Sequence, residues 1–146
     1  MINKNLLNIL KCPKSGQNLQ IKDGLYFDER LKSAVLTTEN GRFTYKVVKY
    51  IPRFVSQSNY ADNFGKQWNF FKKTQLDSHS GHPISENRFW KSTNWVKKDL
   101  KNKWILDVGC GAGRFAEIAL NSGAHVVALD YSNAIDACFS NLKKHK

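Results

Sequence analysis

The sequence predicts an α/β protein with the β-rich part first and the start of a parallel sheet last, and three observations predict it. Short strand-like runs alternate with turn signals up to about Ser56, and aromatic residues recur at helical spacing through the middle. From Lys103 onward the order is strand, glycine turn, helix, strand, turn, helix. The expected organisation is therefore a small β-rich domain over 1–56, an aromatic helical connector over 57–100, and a β-α-β-α segment over 101–146.

In the first segment, Leu19–Ile21 and Leu25–Phe27 flank Lys22-Asp23-Gly24, which predicts a hairpin turn there. Ala34–Thr37 and Phe43–Val48 flank a second turn around Asn40-Gly41. Pro52 lies in a last extended piece, Ile51–Val55, which suits a sheet edge because proline has no N–H to give to a ladder. In the connector, Phe64, Trp68 and Phe71 share a helical face, while Ser78–Ser85, with Gly81 and Pro83, reads as a loop. Phe89, Trp90 and Trp95 should pack on the third segment. There, Trp104–Val108 reads as a strand and Arg114–Asn121 as a helix ended by Gly123. His125–Asp130 is nearly all apolar, as a strand covered on both faces requires, and Ala134–Lys144 reads as a second helix.

Composition narrows the function classes. The 146 residues carry four Trp and nine Phe, enough for an ordinary core. No window approaches the roughly 20 apolar residues of a membrane span, and Met1–Leu10 lacks the apolar run of a secretory signal, so a cytoplasmic protein without a membrane role is expected. Cys12, Cys110 and Cys138 are an odd number, far apart, and read as reduced thiols. The net charge of +11 can attract phosphate-bearing partners. Its lysines, Lys97, Lys98, Lys101, Lys103 and Lys143, Lys144, Lys146, are not interleaved with stacking aromatics. They read as a solvated surface, with nucleic acid left open as a partner and the oligomeric state unassigned.

The chemistry concentrates in Asp107-Val108-Gly109-Cys110-Gly111-Ala112-Gly113, followed by Asp130 at the end of the next strand. Glycines let the backbone turn tightly and approach a ligand closely, and the helix behind them presents N–H groups toward a carboxylate. Asp130, at the carboxyl edge of its strand, can accept ribose hydroxyl protons. The string Gly111-x-Gly113-x-x-Ala116 also satisfies the dinucleotide fingerprint, so hydride chemistry is a competing reading. Asp107 weighs against it. A carboxylate beside the turn repels a pyrophosphate and attracts the ammonium of a sulfonium amino acid.

With Asp130, the string Asp107-x-Gly109-x-Gly111-x-Gly113 resembles motif I and the following acidic loop of class I S-adenosylmethionine-dependent methyltransferases. The resemblance implies an incomplete Rossmann-like methyltransferase sheet, of which these residues form the first β-α-β-α portion. It implies S-adenosyl-L-methionine as cofactor. Asp107 would orient the methionine amino group, the backbone of Gly109, Cys110, Gly111 and Gly113 would wrap the methionine portion, Asp130 would hold the ribose, and Tyr131 and Ser132 would lie beside the adenosine. The stretch Tyr60–Trp68 is similar to a helical lead-in that lids the cofactor in some members. By the same resemblance this is the N-terminal part of the enzyme, with the acceptor site and the catalytic residues outside it, so no catalytic residue is named and the chain alone is expected to be inactive. The methyl acceptor is of unknown class.

Leu10-Lys11-Cys12-Pro13, with Gly41-Arg42-Phe43-Thr44-Tyr45 and Ile51-Pro52-Arg53-Phe54, resembles the small zinc-ribbon-like domain found beside such methyltransferases. Ser15 stands where a partner cysteine belongs and no second pair occurs between Thr37 and Gly41, so the expectation is a zinc-free descendant. Asp77, His79 and His82 have irregular spacing and read as a polar loop, not a metal site. A different class also stays open: a non-catalytic interaction module serving a partner methyltransferase or RNA.

Overall fold

The computed structural model describes residues 4–56 and 60–145; the expectations made for Met1–Asn3, Gln57–Asn59 and Lys146 fall outside it. The chain divides into two compact units, Met1–Ser56 and Gln57–Lys146. No described helix is long and apolar enough to cross a membrane.

The first unit starts with helix α1 (Lys4–Ile9) and continues as an antiparallel sheet in the order β1 (Gln20–Phe27), β2 (Arg30–Thr37), β3 (Thr44–Val48), β4 (Ile51–Arg53). Period-two alternation points Tyr45 and Val47 of β3 inward, onto Leu31, Leu36, Leu19 and Cys12. Each fully buried aliphatic side chain of this kind contributes about 1.5–3 kcal/mol. Pro52 lies on the edge strand β4 opposite Val47, as its missing N–H demands.

One expected turn is displaced. Lys22-Asp23-Gly24 does not reverse the chain but runs inside β1, where the register shifts between Ile21 and Asp23 and Gly24 pairs with Ala34. The reversal comes at Asp28-Glu29, both at positive φ (47° and 59°), a two-residue hairpin loop between paired Phe27 and Arg30. Asp-Gly is the stronger turn signal, but the glycine is needed for space. A Cβ on Gly24 would stand 3.0 Å from Leu31 Cδ1 and 3.1 Å from Ile21 Cγ2.

Cys12 lies in a tight turn closed by the Cys12 N–H to Gln17 carbonyl bond (2.8 Å) and the Gly16 N–H to Cys12 carbonyl bond (2.8 Å). Its buried Sγ is 3.2 Å from the Tyr45 hydroxyl. Burial raises the thiol pKa, but hydrogen bonds from the Ser15 and Tyr45 hydroxyls and the Lys14 and Ser15 backbone outweigh it, and the value falls to about 7. Tyr45 is pushed up to about 12, by burial and by the same sulfur.

The second unit is built on β5 (Trp104–Val108) and β6 (His125–Leu129), a parallel pair in register from Trp104↔His125 to Val108↔Leu129. Helix α5 (Arg114–Asn121) makes the crossover, and its Ile118 and Ala119 pack with Phe89 of α4 (Ile84–Thr93), Leu100 and Ala124. Phe89 and Trp90 thus pack on the third segment as their spacing suggests. Alternation along β5 turns Ile105 toward this core and leaves Trp104, Leu106 and Val108 exposed at 58%, 60% and 72%. Helices α2 (Asp62–Phe70) and α6 (Ala134–Leu142) pack on each other. The expected loop over 78–85 is shorter than predicted. Asp77–Ser80 form helix α3, closed by Gly81 at φ 74°, and α4 starts at Ile84. Glycine behind a short helix is a stop signal, and in sequence it is indistinguishable from a loop glycine.

Candidate functional site

The site grows from the carboxyl ends of β5 and β6. The Gly109 and Cys110 N–H groups both donate to the Leu129 carbonyl, at 2.8 and 3.0 Å, which ties the two strand ends together. The Gly111 N–H donates to Asp130 Oδ2 at 2.8 Å, and the Gly113 N–H to the Cys110 carbonyl at 2.9 Å. Gly113, at φ 94°, needs the absence of a side chain for a second reason. A Cβ there would stand 2.7 Å from Leu142 Cδ1 and 3.1 Å from Cys138 Sγ on α6.

Asp130 and Asp107 have different surroundings. Asp130 Oδ1 accepts from the Ser132 N–H (2.8 Å) and hydroxyl (2.6 Å), so together with Gly111 three of its roughly four lone-pair sites are used within the protein. Accepting two ribose hydroxyls, as the sequence suggests, requires the Ser132 hydroxyl to turn away. Asp107 accepts from the Ala116 N–H in the first turn of α5, while its Oδ2 is buried with no hydrogen-bond partner. Burial holds its carboxyl above the ordinary range against the Ala116 bond, and the charge of Asp130 adds to the rise. An orphaned carboxyl oxygen under a glycine turn attracts a cation.

A cavity of about 380 Å³ opens over the loop. Of the residues expected from sequence, Gly109, Cys110, Gly111, Asp130, Tyr131 and Ser132 line it. Asp107 and Gly113 do not line it: Asp107 reaches the first turn of α5, and Gly113 faces α6. Helix α2 supplies Phe64 and Trp68 to the wall, the latter 3.8 Å from where a Cβ on Gly111 would be. Trp68 thus lies beside the glycine turn. Tyr60 stacks on Tyr131, centroids 5.3 Å apart and planes 29° apart. A hydrogen bond from Asn69 Nδ2 to the Asn133 carbonyl (2.8 Å) anchors α2, and Asn141 Nδ2 of α6 donates to the carbonyls of Lys72, just behind α2 (2.7 Å), and Ala112 (2.9 Å).

Three polar residues of the wall, Gln75, Arg88 and Arg114, were not singled out from sequence. Arg114 did leave a signal. A cation in the first turn of a helix opposes the helix dipole, and such a break of a local rule calls for a compensating partner. The partner is Ser85, whose Oγ accepts from Arg114 Nε (2.9 Å) and donates to the Gln75 carbonyl (2.9 Å). Nothing in the sequence marked Arg88.

Asp77 has a structural task. Its carboxylate accepts from the Ser85 N–H (2.9 Å) and the Glu86 N–H (2.7 Å), capping α4. Burial raises its pKa, but these bonds and the Arg114 charge prevail and hold it below the ordinary value. Ser78 bonds to Glu117, a buried acid of α5, through its hydroxyl and at 3.5 Å through its N–H. Among the described residues Cys110 has no activating partner of the kind a nucleophile needs. Its thiol is pushed far up by a hydrogen bond with Cys138, by burial, and by the charges of Asp107 and Asp130.

Comparison with known proteins bears on the same stretch. Residues 106–146 match the family described as methyltransferase domain. The malonyl-[acyl-carrier protein] O-methyltransferase of Hamiltonella defensa subsp. Acyrthosiphon pisum is 42% identical over 48 residues, 33% of this chain and 16% of that protein. The ribosomal RNA small subunit methyltransferase A of Chlamydia abortus is 38% identical over 42 residues, 29% of this chain and 15% of that one. An uncharacterized protein of Haemophilus influenzae is 45% identical over 40 residues, 27% of this chain and 15% of its own length. The chain thus spans about a sixth of the length of the curated relatives it matches. The family match and the relatives' names support a methyltransferase.

Proposed function

We propose that this chain carries the cofactor-binding portion of an S-adenosylmethionine-dependent methyltransferase, on the first strands of a Rossmann-like sheet. The observation that carries the reading is Asp107, whose buried Oδ2 has no partner beneath a glycine turn at the carboxyl end of a parallel strand. That oxygen suits the ammonium of a sulfonium amino acid and repels the pyrophosphate of a dinucleotide. Bound there, S-adenosylmethionine would supply a methyl group made electrophilic by its sulfonium. Asp130 would hold the ribose, Tyr131 and Ser132 would flank the adenosine, and the Gly109–Gly113 backbone would follow the methionine portion.

The acceptor would have to reach the methyl group at this cavity, and no described residue is assigned to holding it. The apolar face of β5 formed by Trp104, Leu106 and Val108 is exposed, which fits a sheet extended by further strands and helices in the working enzyme. The relatives' names carry two different acceptors, a malonyl-[acyl-carrier protein] and a ribosomal RNA, so the reading stops at methyl transfer. The first unit is read as a zinc-ribbon-like descendant that holds its fold without metal. The hydrogen-bonded Cys12 turn, with the Tyr45 hydroxyl on the sulfur, supports this. Three free thiols fit a reducing, cytoplasmic setting.

Titration calorimetry with S-adenosylhomocysteine, the demethylated cofactor, tests the reading. Saturable binding is expected, lost in Asp130→Ala and kept in Asp99→Ala, an exposed acid away from the cavity. Binding of reduced nicotinamide dinucleotide in place of the nucleoside would overturn it, and transfer of labelled methyl by these 146 residues alone would overturn the placement of the acceptor site.

A further inference from the structure

Away from the cavity, α2 ends in two phenylalanines that the core does not take in. Phe70 is 82% exposed and Phe71 52%, and neither lines the cavity. Their rings meet edge to face, with centroids 4.8 Å apart and planes 76° apart. Rings this exposed leave flat faces open to a third planar group, and apolar surface held in water marks a place for a partner.

Cations surround the pair. Lys66 lies one helical turn before Phe70 on the same face of α2, and the exposed Lys72 and Lys73 follow Phe71 directly. The packing of α2 on α6 adds two more. Lys72 Nζ donates to Ser140 Oγ at 3.5 Å, and the Lys72 carbonyl accepts from Asn141 Nδ2 at 2.7 Å. These bonds set the last turn of α6, with the exposed Lys143 and Lys144 behind it, next to the Phe70-Phe71 segment. In sequence those two lysines lie far from the phenylalanines, and only the fold removes that distance. Among the described residues none of the five ammonium groups forms an ion pair. Like charges gathered without acids repel one another, and a polyanion relieves the repulsion.

The combination selects among polyanions. A single strand offers phosphates to the lysines and unstacked base faces to the rings, whereas a duplex offers the phosphates but keeps its bases stacked on each other. An anionic membrane would match the charges only. A helix lying in a lipid interface needs an apolar stripe, and one turn before Phe70 stand Lys66 and Gln67, while Trp68, one turn before Phe71, is turned to the cavity.

We propose that the ends of α2 and α6 form a docking surface for single-stranded nucleic acid, with Phe70 and Phe71 stacking on bases and Lys66, Lys72, Lys73, Lys143 and Lys144 meeting phosphates. The surface uses none of the residues assigned to the cofactor, so it stands independently of the methyltransferase reading.

The test is fluorescence anisotropy of labelled oligouridylate and oligothymidylate, each of about 12 nucleotides, titrated with the 146-residue chain at several salt concentrations. A duplex of equal length and vesicles of phosphatidylserine and phosphatidylcholine are the comparison ligands. Single strands should bind more tightly than the duplex. Phe70→Ala/Phe71→Ala should weaken them about tenfold or more, the loss of one stacked base or two. Lys72→Gln/Lys73→Gln should make the slope of log affinity against log salt shallower by about 1.4, at about 0.7 for each phosphate released. Lys91→Gln, an exposed cation on α4, should change affinity and slope less than either. Equal affinity of wild type and Phe70→Ala/Phe71→Ala overturns the proposal, because charge alone would then explain binding. Tighter binding of the duplex overturns it too, as does binding of the vesicles without binding of the oligonucleotides. If circular dichroism shows the phenylalanine variant unfolded, the lysine variant decides: an unchanged salt slope overturns the surface, and a shallower one supports it.

Discussion

Gly65→Ala separates two forces that point in opposite directions. Alanine is about 1 kcal/mol better than glycine inside a helix, and Gly65 lies in α2 with no unusual φ, so local propensity alone makes the change stabilising. The packing says otherwise. The added Cβ would stand 2.8 Å from the Asn133 backbone nitrogen, 3.0 Å from its Cβ and 3.2 Å from its Cα, about 0.6 Å inside ordinary contact at the nearest atom. Those are backbone-linked atoms that cannot swing aside. Asn133 is moreover held by Asn69 and precedes α6 directly, so relief requires α2 and α6 to move apart. Overpacking of this kind costs about 1–3 kcal/mol, which outweighs the propensity gain and leaves a net loss of about 1 kcal/mol. For a unit of this size that lowers Tm by about 4–8 °C.

The assay is thermal unfolding followed by circular dichroism, calibrated at Lys66, an exposed neighbour on the same helix. The difference between Lys66→Ala and Lys66→Gly measures propensity alone, and alanine should win there by about 1 kcal/mol. At position 65 the sign should reverse. Because Asn133 follows Ser132, which holds Asp130, nucleoside affinity should fall with it. A Gly65→Ala chain stabilised as much as the Lys66 pair predicts would refute the packing of α2 on α6.

Two further perturbations follow from the shifted acids. Asp107 titrates above its ordinary value in the folded chain, so its share of stability is full below the unfolded carboxylate pKa and is lost as pH rises through the folded one. Asp107→Asn should flatten that fall in urea unfolding at a series of pH values while abolishing binding of a cationic ligand; retained binding would sink the ammonium role. Cys12 is shifted the other way, from 9.0 to about 7, so its contribution is present above 9 and is lost as pH falls through about 7. Tyr45→Phe removes one of the hydrogen bonds responsible, and thiol ultraviolet absorbance should then show Cys12 titrating closer to 9; an unmoved titration would mean that the Tyr45 contact does not stabilise the thiolate.

The parts legible in the sequence are those where one local force dominates. Helix α5 has the predicted limits, Arg114–Asn121, because glycines bracket an amphipathic run, and β5 is an apolar run with glycine behind it. The glycine turn and Asp130 come together as expected because the βα unit places both at the strand ends. The β1–β2 hairpin was misplaced because Asp23-Gly24 fits a turn and a bulge equally well, and only the close approach of Leu31 decides between them. Gln75 and Arg88 escaped notice for a different reason. Their role depends on where α4 lies against the glycine loop, a contact far apart in sequence that has no local signature.

The residues that break local rules concentrate around this loop, and each break has a distinct consequence. Arg114 opposes the dipole of its own helix, and Ser85 and the nearby charge of Asp77 hold it there. Asp107 keeps one buried oxygen without a partner, although Ala116 satisfies the other side of the group. Arg88 lines the cavity with no hydrogen bond or ion pair among the described residues. A chain selected for stability alone would pair the orphaned acid with a nearby cation, because removing an unsatisfied buried charge is stabilising. Here the acid instead keeps its orphaned oxygen beneath the glycine turn, unsatisfied until a ligand supplies a positive charge. Asp107→Asn probes that orphaned oxygen: it should weaken a ligand with a cationic tail and leave unchanged a nucleoside that lacks one.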